Sequence, residues 1–284
     1  MRRCFVIVCF AWLLPAVAAA STQCTINADL PKPIDEIHQT IAAPDEHPEI
    51  YVSTRNGNVQ VTTWERNQIK IDVLKEAPNK QRADDVKINI KSDQSRVTIR
   101  AEFPVNRGWF GVTSDDDSYT QGAQQVKVHI AVTIPRGSRV PSIFSRCGNI
   151  ELNGLSGEVH AQTQVGAIVA KSLNGSARFH AAVGRVSAEF LAITGTTVLD
   201  TQNGAVEVWL PAAVNAELRL QVVNGKLTND FPATKVPKPV GDVMVTTLGS
   251  GGPGVYVMSA NGPVTVHRVP EAKPAPRKKT PAKK

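Results

Sequence analysis

Apolar and polar residues alternate with period two along most of this chain, the signature of half-buried strands. Val59 to Thr63, Ile69 to Leu74, Val86 to Ile90, Arg96 to Phe103 and Gln125 to Ile134 all read this way. The runs KINIK, RVTIR and VKVHIAVTI are rich in Val and Ile, whose branched side chains suit a pleated surface. No window beyond the leader keeps a helical 3.6-residue period, so the pattern predicts an all-β chain. From Gly148 glycine punctuates the alternation on a nearly fixed grid. Gly148, Gly157, Gly166, Gly175, Gly184, Gly195 and Gly204 follow one another at steps of 9, 9, 9, 9, 11 and 9. A short fixed period of this kind marks a repeat architecture.

Positions two and four after each glycine are Ile150/Leu152, Val159/Ala161, Ile168/Ala170, Ala177/Phe179, Val186/Ala188, Thr197/Leu199 and Val206/Val208. They form inward columns; positions one and three are mostly polar. The glycines share the inward parity, where a missing side chain permits a tight corner or a close backbone approach. A second pattern lies on top. Leu155, Leu173 and Ile193 stand two residues before alternate glycines, while Arg146, Gln164, Ala182 and Gln202 precede the others. The unit is therefore two unlike strands, 18–20 residues in all. Stacking like on like predicts a single-domain β-solenoid with short glycine-cornered strands and a narrow Ala/Val core. The alternative is an antiparallel β meander or sandwich. Asn56-Gly57, Asn153-Gly154, Asn174-Gly175, Asn203-Gly204, Asn224-Gly225 and Asn261-Gly262 speak for it, because Asn-Gly favours hairpin turns. A meander has no reason to alternate Leu and non-Leu entries, so the solenoid is preferred.

The ends divide the chain further. Residues 1–20 read as a secretory signal: Arg2 and Arg3, an apolar run from Cys4 to Leu14, then small residues at Ala16, Ala18 and Ala20. The run is short for a transmembrane span, which needs about 20 residues. The expected product is exported, to the periplasm or beyond, and keeps no transmembrane helix. A lead follows over 21–47, then one β domain over 48–269. Residues 270–284 form a Lys/Pro/Ala tail whose composition predicts an extended, uncollapsed segment. Of the four cysteines, Cys4 and Cys9 leave with the signal. Cys24 and Cys147 are then most simply one disulfide in an oxidising compartment, with two buried thiols as the alternative.

The net charge of +7 comes from the ends, because the tail carries +5 and the leader +2. The body between them is neutral, which removes overall basicity as a reason to expect nucleic acid as a partner of the folded part. Arg277, Lys278, Lys279, Lys283 and Lys284 are a candidate contact for an anionic surface, or an inert solubilising end.

An export signal, Asn-Gly-x-Val-x-Val strands and serial Gly-x-Val-x-Ala rungs, over roughly Tyr51 to His267, resemble the adhesin-like envelope domains of bacteria, a β-solenoid family of unknown function. The resemblance implies a noncatalytic extracytoplasmic role and supplies no catalytic residues. Its expected partner is an envelope glycan, an anionic lipid surface or a protein.

Candidate chemistry is sparse. The grid acids Glu151, Glu158, Glu189, Asp200 and Glu207 read as occupying different columns, except that Glu189 and Asp200 share one at opposite edges of a unit, without the paired-carboxylate spacing of glycoside hydrolysis. A polysaccharide-active β-helix enzyme is the alternative that such a pair would favour. The six histidines form no metal-ligand spacing, and no cofactor motif is present. Asp115-Asp116-Asp117 lies in the segment Asn106 to Gly122 without a calcium-binding pattern. Trp109 and Phe110 in the same segment are a candidate contact pair or a cap on the core. A third reading is an envelope assembly or signalling factor that pairs a partner strand with an open edge near Val264 to Val269.

Overall fold

The computed structural model describes residue 24 and residues 33–104, 125–236 and 241–269. Within them are twenty strands and one short helix, so the chain is all-β. The first part contains β1 (Pro33–Ala42), β2 (Glu49–Asn56), β3 (Val59–Trp64), β4 (Gln68–Glu76), helix α1 (Lys80–Asp85), β5 (Lys87–Asp93), β6 (Arg96–Glu102) and β7 (Lys127–Pro135). The grid region contains β8 (Arg139–Cys147), β9 (Ile150–Asn153), β10 (Ser156–Val165), β11 (Ile168–Val183), β12 (Val186–Ile193), β13 (Thr197–Asn203) and β14 (Val206–Pro211). The last part contains β15 (Ala216–Asn224), β16 (Leu227–Asn229), β17 (Thr234–Val236), β18 (Asp242–Leu248), β19 (Gly254–Asn261) and β20 (Val264–Val269). Two differences from the sequence reading are local. The lead holds β1, paired antiparallel with β4, and α1 forms where Asn79 caps it by accepting from the Arg82 N–H.

The strands form two ladders joined through the long β11, which bends at Ser172 with φ 55°. The first runs β5-β6-β2-β8-β10-β11-β13-β19-β15-β18-β17. The second runs β1-β4-β7-β3-β9-β11-β12-β14-β20-β16. Every pairing between grid strands is parallel, which overturns the antiparallel meander for that region. Ile150, Ile168, Val186 and Val206 stand in one register column at the 18–20-residue step. All fourteen residues assigned inward from the grid are buried, Phe179 and Ile168 completely.

Glycine sets the corner between the ladders. Gly148, Gly166, Gly184 and Gly204 each lie against the carbonyl oxygen of the glycine one coil below, Gly57 to Gly184, so that an added Cβ would overlap it. The Asn-Gly pairs at 203, 224 and 261 are corners of this stack rather than hairpin turns. Asn261 donates to the Asn203 side chain at 2.9 Å and accepts from Asn224 at 2.9 Å, so its amide links two coils. Just inside the corner runs a buried hydroxyl column that the sequence reading overlooked. Ser145, Thr163, Thr201 and Ser259 donate to the carbonyls of Gly57, Gly148, Gly184 and Gly204 at 2.9–3.1 Å. Its sequence signal is Ser or Thr three residues before alternate glycines; Ala181 is the gap.

The strands do not pair in chain order. β19 and β20 lie between the coil of β13 and β14 and the coil of β15 and β16. Likewise β6 and β7 lie outside β2 and β3. The open edge near Val264 to Val269 that would favour the assembly-factor reading is therefore largely covered. β20 pairs with β14 along its whole length and with β16 over Val264–Val266. Lying between β14 and β16, this strand is paired on both sides over Val264–Val266 and on the β14 side alone beyond them.

Candidate binding surface

Strand alternation turns every second residue of each ladder outward, and the parallel register aligns these residues into rows that cross the stack. One row of the first ladder runs from Lys91 through Thr98, Tyr51 and Ser142 to His160, which faces a register shift in β8. It continues through Arg178, Val198 and Tyr256 to Arg219. This row crosses nine strands and holds no carboxylate. Lys91, Arg178 and Arg219 are exposed in it, and Tyr256 is 39% exposed. Three of the neighbouring acids are engaged, while Asp93 and Glu217 are exposed. Glu49 sits between Arg96 at 3.5 Å and Arg139 at 3.8 Å, Glu158 meets His160 at 2.8 Å, and Asp200 meets His180. Arg96 also lies over the Tyr51 ring, 4.8 Å from its centroid.

The second ladder has the opposite character. His38, Asp72, Ala131, Gln60 and Glu151 share a row that continues through Val169 and Ser187 to Glu207 and Thr265. It contains no Lys or Arg. Within the neutral body read from the sequence, these two rows thus differ in charge.

At one end of this acidic row is a groove of about 410 Å³, lined among others by Glu36, His38, Asp72, His129 and Glu151. His38 Nδ1 is 2.7 Å from Asp72 Oδ1 and its Nε2 is 3.4 Å from Glu36, while Lys70 donates to Asp72 at 2.7 Å. The hydrogen bond to Asp72, and then that to Glu36, raises the His38 pKa above 6.5. Burial pushes Asp72 upward, but hydrogen bonds from Lys70 and His38 outweigh it and hold its carboxyl below 3.8. His129 Nδ1 accepts the Asn58 N–H at 3.2 Å, which puts the neutral ring's proton on Nε2, 3.6 Å from Glu76. Among the described residues no set of three or more His, Cys, Asp or Glu is arranged to hold a metal ion.

The far end of the same ladder is aromatic. Trp209 stacks on His267 with ring centroids 5.1 Å apart, and Asp230 is 3.6 Å from the His267 ring. Leu191, 59% exposed, lies two residues beyond Glu189, the register partner of Trp209.

The structure brings Cys24 and Cys147 together as a disulfide, with Cα atoms 5.7 Å apart, pinning residue 24 to the corner at Gly148. Trp109, Phe110, Asp115 to Asp117, Arg277, Lys278, Lys279, Lys283 and Lys284 lie outside the described residues. Glu189 and Asp200 fall on different ladders, beside Trp209 and His180. Glu151 and Glu207 share one column, contrary to the sequence reading, with Val169 and Ser187 between them. Three strand steps of about 4.8 Å put their backbones roughly 14 Å apart, beyond the separation of a hydrolytic carboxylate pair. The charged rows were invisible in the sequence because each gathers residues from strands far apart in the chain.

Among the described residues no helix is long and apolar enough to cross a membrane. No family model matches the chain, and no curated protein sequence matches it. Three solved structures are similar to it. A "putative cell adhesion protein" from Clostridium sporogenes is 11% identical with a TM-score of 0.47, over 84% of this chain and 100% of that one. A "putative adhesin" from Bacteroides fragilis is 14% identical with a TM-score of 0.41, over 83% and 97%. Another "putative adhesin", from Parabacteroides distasonis, is 11% identical with a TM-score of 0.29, over 83% and 97%. At these identities and scores no residue role or ligand passes to this chain. What the neighbours share with the sequence reading is their description: adhesin-like proteins of bacteria.

Proposed function

We propose that this chain is an exported, noncatalytic envelope protein whose two-sided β-solenoid presents ribbed outer faces to a partner, in an adhesin-like binding role. The observation that carries the reading is the alignment of outward side chains into rows that cross the whole stack. Such faces suit extended contact, and the grid acids are not paired across a cleft. The 18–20-residue register and the stacked glycine corners support the solenoid. The Cys24–Cys147 disulfide supports an oxidising compartment, with the leader removed after Ala18 or Ala20. Trp109 and Phe110 are a further contact pair in this reading, and the basic tail holds the protein against an anionic surface.

Fractionation of cells producing the full chain, and a version ending at Pro270, tests this. Both are expected outside the cytoplasm with the leader removed, the full chain bound to the envelope and the shorter one more soluble. A full chain that stays cytoplasmic with its leader intact refutes the export reading. Unchanged envelope association of the shorter chain refutes the role of the tail.

A further inference from the structure

We propose that the carboxylate-free row of the first ladder is a docking track for an acidic polysaccharide, a chain of uronate or similarly anionic sugars lying across the strands. This rests on the binding reading above and names its ligand class. Eight steps of about 4.8 Å give the row from Lys91 to Arg219 a length of roughly 38 Å. Along it, cations alternate with ring surfaces: Lys91, Tyr51, Arg178, Tyr256, Arg219. Guanidinium forks match carboxylates in plane and in charge; the Tyr256 ring offers a flat apolar surface with a polar tip, while Tyr51 carries the Arg96 guanidinium over its ring.

Arg178 is exposed and has no ion pair among the described residues, so its charge is available. Of the acids beside the row, Glu49, Glu158 and Asp200 are already engaged by arginine or histidine, while Asp93 and Glu217 are exposed with no ion pair among the described residues. A narrow chain can follow the row and avoid them. A membrane would press the whole face, Glu102 and Glu158 included, against anionic headgroups. A single-stranded nucleic acid fits less well, because it asks for aromatics spaced to stack successive bases. Tyr51 and Tyr256 are five strand steps apart, roughly 24 Å.

The test is titration of the oxidised mature chain with polygalacturonate of defined length, beside neutral dextran, phosphatidylglycerol vesicles and single-stranded DNA. Polygalacturonate is expected to bind, more weakly as salt rises, and dextran is expected not to bind. R178E/R219E should weaken the interaction about tenfold or more without moving the melting temperature, whereas E151K/E207K on the opposite face should not weaken it. A chain ending at Pro270 should keep the site. Several results overturn the proposal: no binding, binding indifferent to R178E/R219E, equal binding of dextran, or preference for vesicles or DNA. Self-association abolished by R178E/R219E would assign the face to a second copy of the chain instead. A protein that reaches the envelope but ignores polygalacturonate refutes this proposal alone; a cytoplasmic one refutes the earlier reading.

Discussion

The glycine stack makes the sharpest quantitative prediction. Gly184 has φ +143°, and a Cβ added there would lie well inside 3.0 Å of the Gly166 carbonyl oxygen. That oxygen is backbone and cannot swing away. Relief requires the two coils to part by on the order of 1 Å, since carbon contacts settle near 3.5–4.0 Å. The flanking ladder bonds, Gly166 N–H to Val183 O and Ile168 N–H to Arg185 O, are both 2.9 Å and would be lost. Two bonds at about 0.5–1.5 kcal/mol each and left-handed strain of about 1–2 kcal/mol give Gly184→Ala a cost of about 2–5 kcal/mol. Gly157→Ala isolates the strain, because φ there is +81° and nothing lies within 4 Å of the added atom. It should cost about 1–2 kcal/mol. Gly195→Ala has neither a strained φ nor a backbone obstacle, only the Ser176 side chain at 3.3 Å. It should be nearly neutral. Urea unfolding of the oxidised mature protein gives all three values on one scale. If Gly184→Ala is no more costly than Gly157→Ala, the close stacking of glycine on carbonyl is not what demands glycine here.

Three further outcomes follow from the same geometry. Replacing Cys24 and Cys147 by Ser opens a link of sequence separation 123 and should cost roughly 4–5 kcal/mol in the chain-entropy model, read as a fall in the urea midpoint that reductant reproduces in the wild type. Thr201→Val leaves the Gly184 carbonyl without its buried hydroxyl donor, a loss of about 1–3 kcal/mol in the same assay. The His38–Asp72 pair sets a pH window. Because the folded pKa of His38 is raised, its contribution is full below 6.5 and fades as pH rises through that raised value; because that of Asp72 is lowered, its contribution is full above 3.8 and fades as pH falls through the lowered value. His38→Asn should flatten the alkaline arm of melting temperature against pH, and an unchanged arm would remove His38 from the account.

What could be read from the sequence was whatever repeats locally. The parity of Ile150 and Leu152, of Ala177 and Phe179, and of Val206 and Val208 follows from alternation within a few residues, and each is buried as that alternation requires. The glycine corners were legible for the same reason. The hydroxyl column was also written in the chain, as Ser145, Thr163, Thr201 and Ser259, but three residues before a glycine is an unremarkable place until the carbonyl it meets is known. The charged rows were not legible. Lys91 and Arg219 are far apart in sequence, and only the pairing register sets them in one line.

The order of the coils shows why a repeat fixes less than it suggests. Each strand in the ladders pairs only with the strands beside it, so strands with matching corners can exchange levels. Asn203-Gly204, Asn224-Gly225 and Asn261-Gly262 are matching corners, and the order actually taken places Asn261 in the middle, bonded to both others. Chain order would instead leave β19 and β20 at the end. The inserted order gives that end to β15, on which β18 pairs antiparallel, and the short β17 pairs on β18. At the opposite end β5 covers β6, and β4 with β1 covers β7. An exposed parallel edge is a template for another strand. Antiparallel strands end the first ladder on both sides and the second ladder at β1, whose edge carries the outward charges of Glu36 and His38, while the second ladder's other end is the three-residue parallel strand β16. The same out-of-order winding therefore covers the edge of β20 over Val264–Val266 and leaves only the short β16 as a parallel end, so the broad faces of the ladders are the larger surfaces on which a partner would dock.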